Sequence, residues 1–466
     1  MYRSLHTVLA LMVCLGVAIA QPFTDPKTVG SHPVYRSAKD SLALAELEKA
    51  WGLYRLEGGS KAKTDSLIKQ VLEARSKAII DTKTLYENRF PLLADVTQMP
   101  ADSVRAISLV GAKSWPKGLH RFKNLETLEI INSPLHKLAA LRGAKKLKTV
   151  YVLNPTTEKT LRIPKRLAIA NLLIRGGTER FVPNRFQSST LQQLNLAQNG
   201  LTQMPNVSGA RGLQVLVLRN NRIEKFESYR GNAQLKELEL QLNHLQEVPA
   251  SVAGFPGLRK LVLSGNKIKQ VSPALADVKN LEQLAFYRNE LTSVPPAVYA
   301  LTNLRVLDLY YNQIDRLDDA IARWKKMEVL YVSHNRIVNL PDALGDLSEL
   351  KELYVHNNRI SVLPEQLGRL TYLKVFRANN NLLSELPSAF ATLRNIDFLD
   401  VSHNHFRELP TYLSNYPKLE LLTLSYNPLE QENREQWQTV ATQLRQRGVV
   451  VNLELAPQTE APQGPR

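Results

Sequence analysis

The sequence predicts an α/β solenoid: a curved stack of short coils with a parallel β-sheet on the concave side, helical turns on the other and a helical cap at the N-terminal end. Three observations predict it. Asparagine recurs at Asn199, Asn221, Asn243, Asn266, Asn289, Asn312, Asn335, Asn358, Asn381, Asn404 and Asn427, spaced by 22, 22 and then 23 residues without exception. Each asparagine sits in the same phrase, L-x-x-L-x-L-x-x-N-x-L, as in LRVLDLYYNQI from Leu304, LKELYVHNNRI from Leu350 and LELLTLSYNPL from Leu419. After the phrase many units read L-P-x-x-L-x-x-L, as in LPDALGDL from Leu340 and LPEQLGRL from Leu363.

Each part of the unit has a physical reason. L-x-L is the two-residue period of a short strand with one face buried. Proline ends the extended stretch, and the leucine spacing behind it is helical. One unit cannot bury its own leucines, so neighbours must stack, and this forces a parallel sheet. Where the chain turns out of the strand, inward backbone groups lose their ladder partners. A buried amide that both donates and accepts can satisfy them, which gives the asparagine column a structural role rather than a ligand role.

Taken in order along the chain, residues 1–20 read as a signal peptide, with Arg3 ahead of an apolar run from Val8 to Ile19 and Ala18-Ile19-Ala20 at the cut. Residues 21–100 read as a helical N-terminal cap: Ser37 with Asp40 is a capping box, and Leu44, Leu47, Trp51 and Tyr54 share one helical face. Residues 101–190 hold four degenerate units with strand pairs Ile107 and Leu109, Leu128 and Ile130, Val150 and Val152, Leu172 and Ile174; Ala112, Ser133, Pro155 and Gly177 stand at the asparagine position. Residues 191–430 are the regular units. Residues 431–455 form a C-terminal cap, with Trp437, Val440 and Leu444 on one helical face and VVVNLEL from Val449 as a last strand. The tail 456–466, rich in proline and glutamine, is expected to be disordered.

The repeated phrase resembles that of the leucine-rich-repeat family, from about Val104 to about Leu429. The resemblance implies a leucine-rich-repeat solenoid of the horseshoe kind, a scaffold used mostly for binding. It does not choose the ligand.

Composition narrows the class further. The only cysteine, Cys14, lies in the signal segment, so disulfides, thiolate metal sites and cysteine nucleophiles are not expected, and export from a bacterium fits best. The net charge of +17 is local: residues 111–190 carry 16 basic and 4 acidic side chains, whereas residues 191–466 carry 30 and 28. Many of the early cations, among them Lys145, Lys146, Lys165 and Arg166, fall in connecting segments, where they could meet a polyanion or simply face water. No phosphate-loop, zinc-protease or nucleophile-elbow motif occurs, and no enzyme activity, cofactor or metal is expected. His334 with His356, and His403 with His405, are close in register but lack identifiable further ligands.

The informative positions are three outward columns: the residue between the two strand leucines, and the two residues before each asparagine. They collect Tyr287, Arg288, Tyr310, Tyr311, Tyr331, His334, Tyr354, His356, Arg377 and His403, whereas the four units ending at Asn199, Asn221, Asn243 and Asn266 hold no aromatic there. Clustered tyrosine and arginine combine contact area with directed hydrogen bonds. The expected function is therefore recognition or adhesion, binding a protein or a glycan on the concave face, with outward side chains contributing little to the core. The alternative is an envelope spacer held to an anionic surface by the basic early coils. A hydrolase or metal-dependent enzyme would need converging carboxylates and histidines that the columns do not supply. A second outward cluster, Val110, Ile131, Tyr151, Leu153 and Leu173, is apolar and is expected to lie under the N-terminal helices.

Overall fold

The computed structural model describes Leu92, 99–141, 143–164, 167–225, 231–428 and 433–453. These residues fall into two compact units that divide between Asn221 and Arg222. The expected signal segment, the helices read at 37–79, the tail after 456, and Lys165 and Arg166 lie outside the described residues.

In the first unit, five-residue strands β1 (Ala106–Val110), β2 (Thr127–Ile131), β3 (Thr149–Leu153) and β4 (Asn171–Arg175) lead to three-residue strands β6 (Gln193–Asn195) and β8 (Val215–Val217). They pair in parallel in the order β1-β2-β3-β4-β6-β8. A separate parallel pair, β5 (Arg185–Gln187) with β7 (Asn206–Gly209), lies outside this sheet. Ile107, Leu109, Leu128, Ile130, Val150, Val152, Leu172 and Ile174 are all at most 2% exposed, and the residues between them, Ser108, Glu129, Tyr151 and Leu173, are buried as well, so both faces of these early strands are covered.

The second unit repeats this plan with stricter register. Strands β9 (Glu237–Glu239), β11 (Lys260–Val262), β13 (Gln283–Ala285), β14 (Val306–Asp308), β15 (Val329–Tyr331), β16 (Glu352–Tyr354), β17 (Val375–Arg377), β18 (Phe398–Asp400), β19 (Leu421–Thr423) and β20 (Val450–Asn452) pair in parallel, each with the next. The short pair β10 (Glu247–Val248) and β12 (Gln270–Val271) stands apart. Every step of the main sheet is in phase, as in Asp308 opposite Tyr331, Tyr331 opposite Tyr354 and Tyr354 opposite Arg377. The 23-residue spacing therefore lines residues of equal repeat position into columns across the sheet.

Behind the strands the chain returns through tight 3-10 turns such as Asp342–Asp346 and Glu365–Arg369 rather than α-helices; among the described residues of the repeats the exception is the four-residue α1 (Pro296–Tyr299). The turns are short because only a few residues lie between the proline and the next phrase. Gly345 and Gly368 let successive turns approach closely, since a Cβ at Gly345 would lie 2.2 Å from the Gln366 carbonyl oxygen. The sheet ends under α2 (Arg434–Gln446), which buries Trp437, Val440, Ala441 and Leu444.

Candidate functional site

The ladder that holds the strand exits is built from the asparagines. Asn312 donates from Nδ2 to the carbonyls of Leu309 in its own coil, at 3.0 Å, and of Phe286 in the preceding coil, at 2.9 Å. Its Oδ1 accepts the Leu291 N–H at 3.1 Å. Asn289, Asn335, Asn358, Asn381 and Asn404 make the same three contacts. Asn199, Asn221, Asn243, Asn266 and Asn427 bond backbone groups in the same way. Asn335 and Asn358 are half-buried, and the other nine are buried. In the degenerate coils Ser133 takes the place, accepting from the Ala112 N–H at 3.0 Å and donating to the Ile131 carbonyl at 2.8 Å. A second set went unread in the sequence: Asn124, Asn280, Asn303 and Asn395, each directly before a phrase, donate to carbonyls one coil earlier at 2.6–2.9 Å. The repeated position before the first leucine was the available signal.

The residue before each ladder asparagine adopts a left-handed backbone, with φ between 52° and 60° at Arg288, Tyr311, His334, Asn357, Asn380, His403 and Tyr426 and between 56° and 66° at Gln198, Asn220, Leu242 and Gly265. Glycine or asparagine adopts this conformation at least cost, and a larger side chain loses about 1 kcal/mol there. Asn357 and Asn380 follow that preference; Arg288, Tyr311 and His334 do not. The third outward column thus carries bulky rings and a guanidinium where the backbone favours small residues.

Three groups of side chains form on the face of the second unit. In the first, Tyr287 stacks on Tyr310 with ring centres 5.6 Å apart, Tyr310 meets Tyr311 edge-on at 4.6 Å, and Tyr311 stacks on His334 at 4.1 Å. His356 joins at 5.4 Å from His334 and 5.5 Å from Tyr310, its Nδ1 2.7 Å from the Asn357 amide nitrogen. In the second, Tyr331 and Tyr354 stack at 4.6 Å, and the Tyr354 hydroxyl donates to Glu352 at 2.8 Å. In the third, Arg377 lies over the Phe398 ring at 5.5 Å and reaches Asp400 at 3.3 Å, while His403 stacks on Tyr426 at 4.3 Å.

The expectation that these outward side chains add little to the core needs correcting. Tyr310, Tyr331, Tyr354 and His356 are only 4–8% exposed, whereas Tyr311 is 43% exposed. The cause is the parallel register: large neighbours stand one strand apart and cover one another's faces. Burial also acts on the polar members. It pushes the Asp308 carboxyl up to about 7, although its Oδ1 accepts the Tyr310 N–H at 3.0 Å. It lowers the His403 imidazole, partly opposed by the nearby Asp400 charge. The Ser333 Oγ, Arg377 Nε and Asn379 Oδ1 atoms on this face are buried without hydrogen-bond partners.

A fourth column belongs to the face and was overlooked in the sequence. The residue opening each strand is apolar through Val306, Val329, Val375, Phe398 and Leu421, interrupted by Glu352. The same register would have revealed it. Upstream, Lys260 is held by Glu237 and Glu239 at 3.6 and 3.0 Å, so the cation on that part of the face is met twice over.

The early apolar cluster is close-packed in the first unit: Ile131, Tyr151, Leu153 and Leu173 are 4–5% exposed, but Val110 is 43% exposed. Of the early cations, Lys145 and Lys146 are exposed, and Lys146 donates to Asn124 at 2.7 Å. Among the described residues, no group of three or more histidine, cysteine or acidic side chains could hold a metal ion, and no helix is long and apolar enough to cross a membrane.

Residues 211–268, 256–314, 279–337, 302–360 and 348–406 match the family model described as leucine rich repeat. No curated protein matches the sequence. Among solved structures, a leucine-rich-repeat protein of Leptospira interrogans is similar over 78% of this chain and 98% of its own, with TM-score 0.61 and 23% identity. The functional domain of InlJ from Listeria monocytogenes, which includes a cysteine ladder, is similar over 71% and 69%, with TM-score 0.54 and 19% identity. The Drosophila Toll–Spätzle complex is similar over 71% of this chain and 49% of the matched one, with TM-score 0.61 and 19% identity. The phase-locked parallel strands, the asparagine ladder and the five family matches make this chain a leucine-rich-repeat protein.

Proposed function

We propose that the chain is an exported recognition module whose second-unit sheet face docks a partner protein, through the residues from Tyr287 to His403 that project there. The observation that carries this reading is the column of left-handed residues. Arg288, Tyr311 and His334 occupy consecutive coils at a conformation that costs each about 1 kcal/mol, although asparagine would relieve it. Their rings and guanidinium stand at the edge of an aromatic cluster, and Tyr311 leaves a large ring open to solvent. Exposed tyrosine beside arginine is where protein interfaces concentrate their energy. The apolar column from Val306 to Leu421 gives the same face a hydrophobic strip. Export rests on the apolar segment from Val8 to Ile19 and its small-residue end, with Gln21 as the first residue after cleavage.

The test is capture of partners from envelope extracts by the full exported chain, followed by affinity measurement with Tyr311→Ala and His334→Ala. Each is expected to weaken binding by about 2 kcal/mol, roughly 30-fold, if central to the contact. Ser264→Ala, in the plain part of the same columns, is expected to change little. Equal loss from both sets would refute a focused site, and selective capture on a glycan array would replace the protein partner with a sugar.

A further inference from the structure

The two ends of the strands in the second unit differ in how their charges are met. At the entry end, the residue after the first apolar position of the phrase alternates in sign from Arg259 to Lys351 and pairs with its neighbours: Arg259 with Glu282 at 3.3 Å, and Glu328 with Lys351 at 2.6 Å and with Arg305. At the exit end, the ladder asparagine turns inward and the residues flanking it face outward. Those flanking positions hold Arg222, Lys267, Arg288, Arg336 and Arg359, together with His244, His334, His403 and His405, and a single acidic residue, Glu290. Glu290 is itself taken by Lys269 at 3.4 Å.

Around Tyr311 this becomes a specific arrangement. Arg288, Arg336 and Arg359 are exposed, and among the described residues no carboxylate lies within 4.0 Å of any of them. Asp315, exposed two residues past Gln313, does not pair with them. Arg336 and Arg359 follow consecutive ladder asparagines, and their amides donate to Ile314 and Ile337 at 2.8 Å, so they stand one coil apart, about 5 Å. Arg288 lies two coil steps before Arg336, beside the Tyr311 and His334 stack.

From the coil of Arg288 to that of Arg359 is three steps, about 14 Å, which an extended segment of four to five residues spans at about 3.3 Å each. Guanidinium groups in such a row match carboxylates in paired hydrogen bonds, and the Tyr311–His334 stack offers a flat surface for a ring between them. We infer that the exit edge, Arg288, Arg336 and Arg359 around Tyr311 and His334, recognises an extended acidic segment of the partner protein, with carboxylates spaced by an aromatic residue. This rests on the docking face proposed above and supplies its chemistry. A sulfated or phosphorylated polymer would satisfy the charge but leaves the stacked rings without a matching ring.

The experiment uses the full chain and a fluorescein-labelled peptide of about ten residues repeating Glu-Glu-Tyr, with a Gln-Gln-Tyr peptide of equal length and a heparin fragment as competitors, read by fluorescence anisotropy at about 50 and 300 mM salt. The acidic peptide is expected to bind at least ten-fold more tightly than the glutamine peptide, and more weakly as salt rises. Arg336→Glu with Arg359→Glu is expected to remove that ten-fold preference. Lys145→Glu with Lys146→Glu, in the first unit, is expected to leave it intact. Equal binding of the two peptides, or of neither, overturns the inference. Should Tyr311→Ala weaken both peptides alike with no acidic preference, the docking face stands and its proposed chemistry falls. Should charge reversal abolish binding while Tyr311→Ala changes nothing, the edge binds anions alone and the docking face fails. Tighter competition by heparin than by the acidic peptide assigns the edge to a polymer instead and overturns the protein partner. Circular dichroism of both arginine variants, which are exposed, is expected to match the parent.

Discussion

Replacing Asn312 by alanine isolates the ladder, because its side chain is 9% exposed and every polar atom of it is used. The change strands one backbone group, the Leu291 N–H, which loses its acceptor at 3.1 Å; the Leu309 and Phe286 carbonyls each lose one donor but keep the amides of Asn335 at 2.9 Å and Asn289 at 3.0 Å. A buried group left without a partner costs about 1–3 kcal/mol. With one group stranded, the net loss expected is about 1–3 kcal/mol. In a repeat protein the loss is felt first as local opening, so the assay is hydrogen exchange at the Leu291 amide alongside urea unfolding. Exchange there should speed up roughly 5- to 150-fold, since each 1.4 kcal/mol is a factor of ten. Asn312→Asp keeps the acceptor for Leu291 but presents negative oxygens to two carbonyls, and should be at least as damaging near neutral pH. The reasoning is refuted if Asn312→Ala unfolds at the parent urea concentration and leaves Leu291 exchange unchanged.

The buried and exposed members of the tyrosine cluster should separate in stability measurements. Tyr354→Ala removes a 4%-exposed ring stacked on Tyr331, and should lower stability by about 3 kcal/mol. Tyr311→Gly loses a half-open ring but relaxes a φ of 54°, and thermal unfolding should show a change within about 1 kcal/mol. A pH titration of stability tests Asp308. Its carboxyl is raised from 3.8 to about 7 by burial, so the folded state holds a proton that the unfolded state releases. Stability should be fullest below about pH 4 as far as this group is concerned, and fall as pH rises to about 7. Asp308→Asn keeps an acceptor for the Tyr310 N–H and should remove that slope; Asp397, raised to about 6, leaves a smaller slope of the same sign. A parent slope that persists unchanged in this variant would refute the assignment.

The repeat period was sufficient to place the strands because each coil solves the same local problem. A leucine at every second strand position has one buried face available, and a constant spacing allows only in-phase stacking. That is why Leu307, Leu330 and Leu353 are opposite one another and fully buried. It is also why the tyrosines, read only as letters 23 residues apart, meet in ring stacks. Even the degenerate coils kept their alternating strand pairs, so Ile107 and Leu109 could be placed without an asparagine to mark them.

What the sequence could not determine is how much of each outward side chain remains outside. Exposure on a sheet face depends on the sizes of neighbours one and two strands away, which Tyr354 acquires only when Tyr331 and Arg377 are brought to either side of it. The same holds for charge. Arg305 and Arg336 are equally cationic as residues, but the fold places Glu328 beside the first and no carboxylate within 4.0 Å of the second among the described residues. Period and composition thus determined the coil, its core and its columns, because those follow from local burial repeated at fixed spacing. Which members of a column are stacked shut, which are strained open and which charges are left unpaired was decided only by the tertiary structure, because each depends on contacts between coils that no single repeat contains.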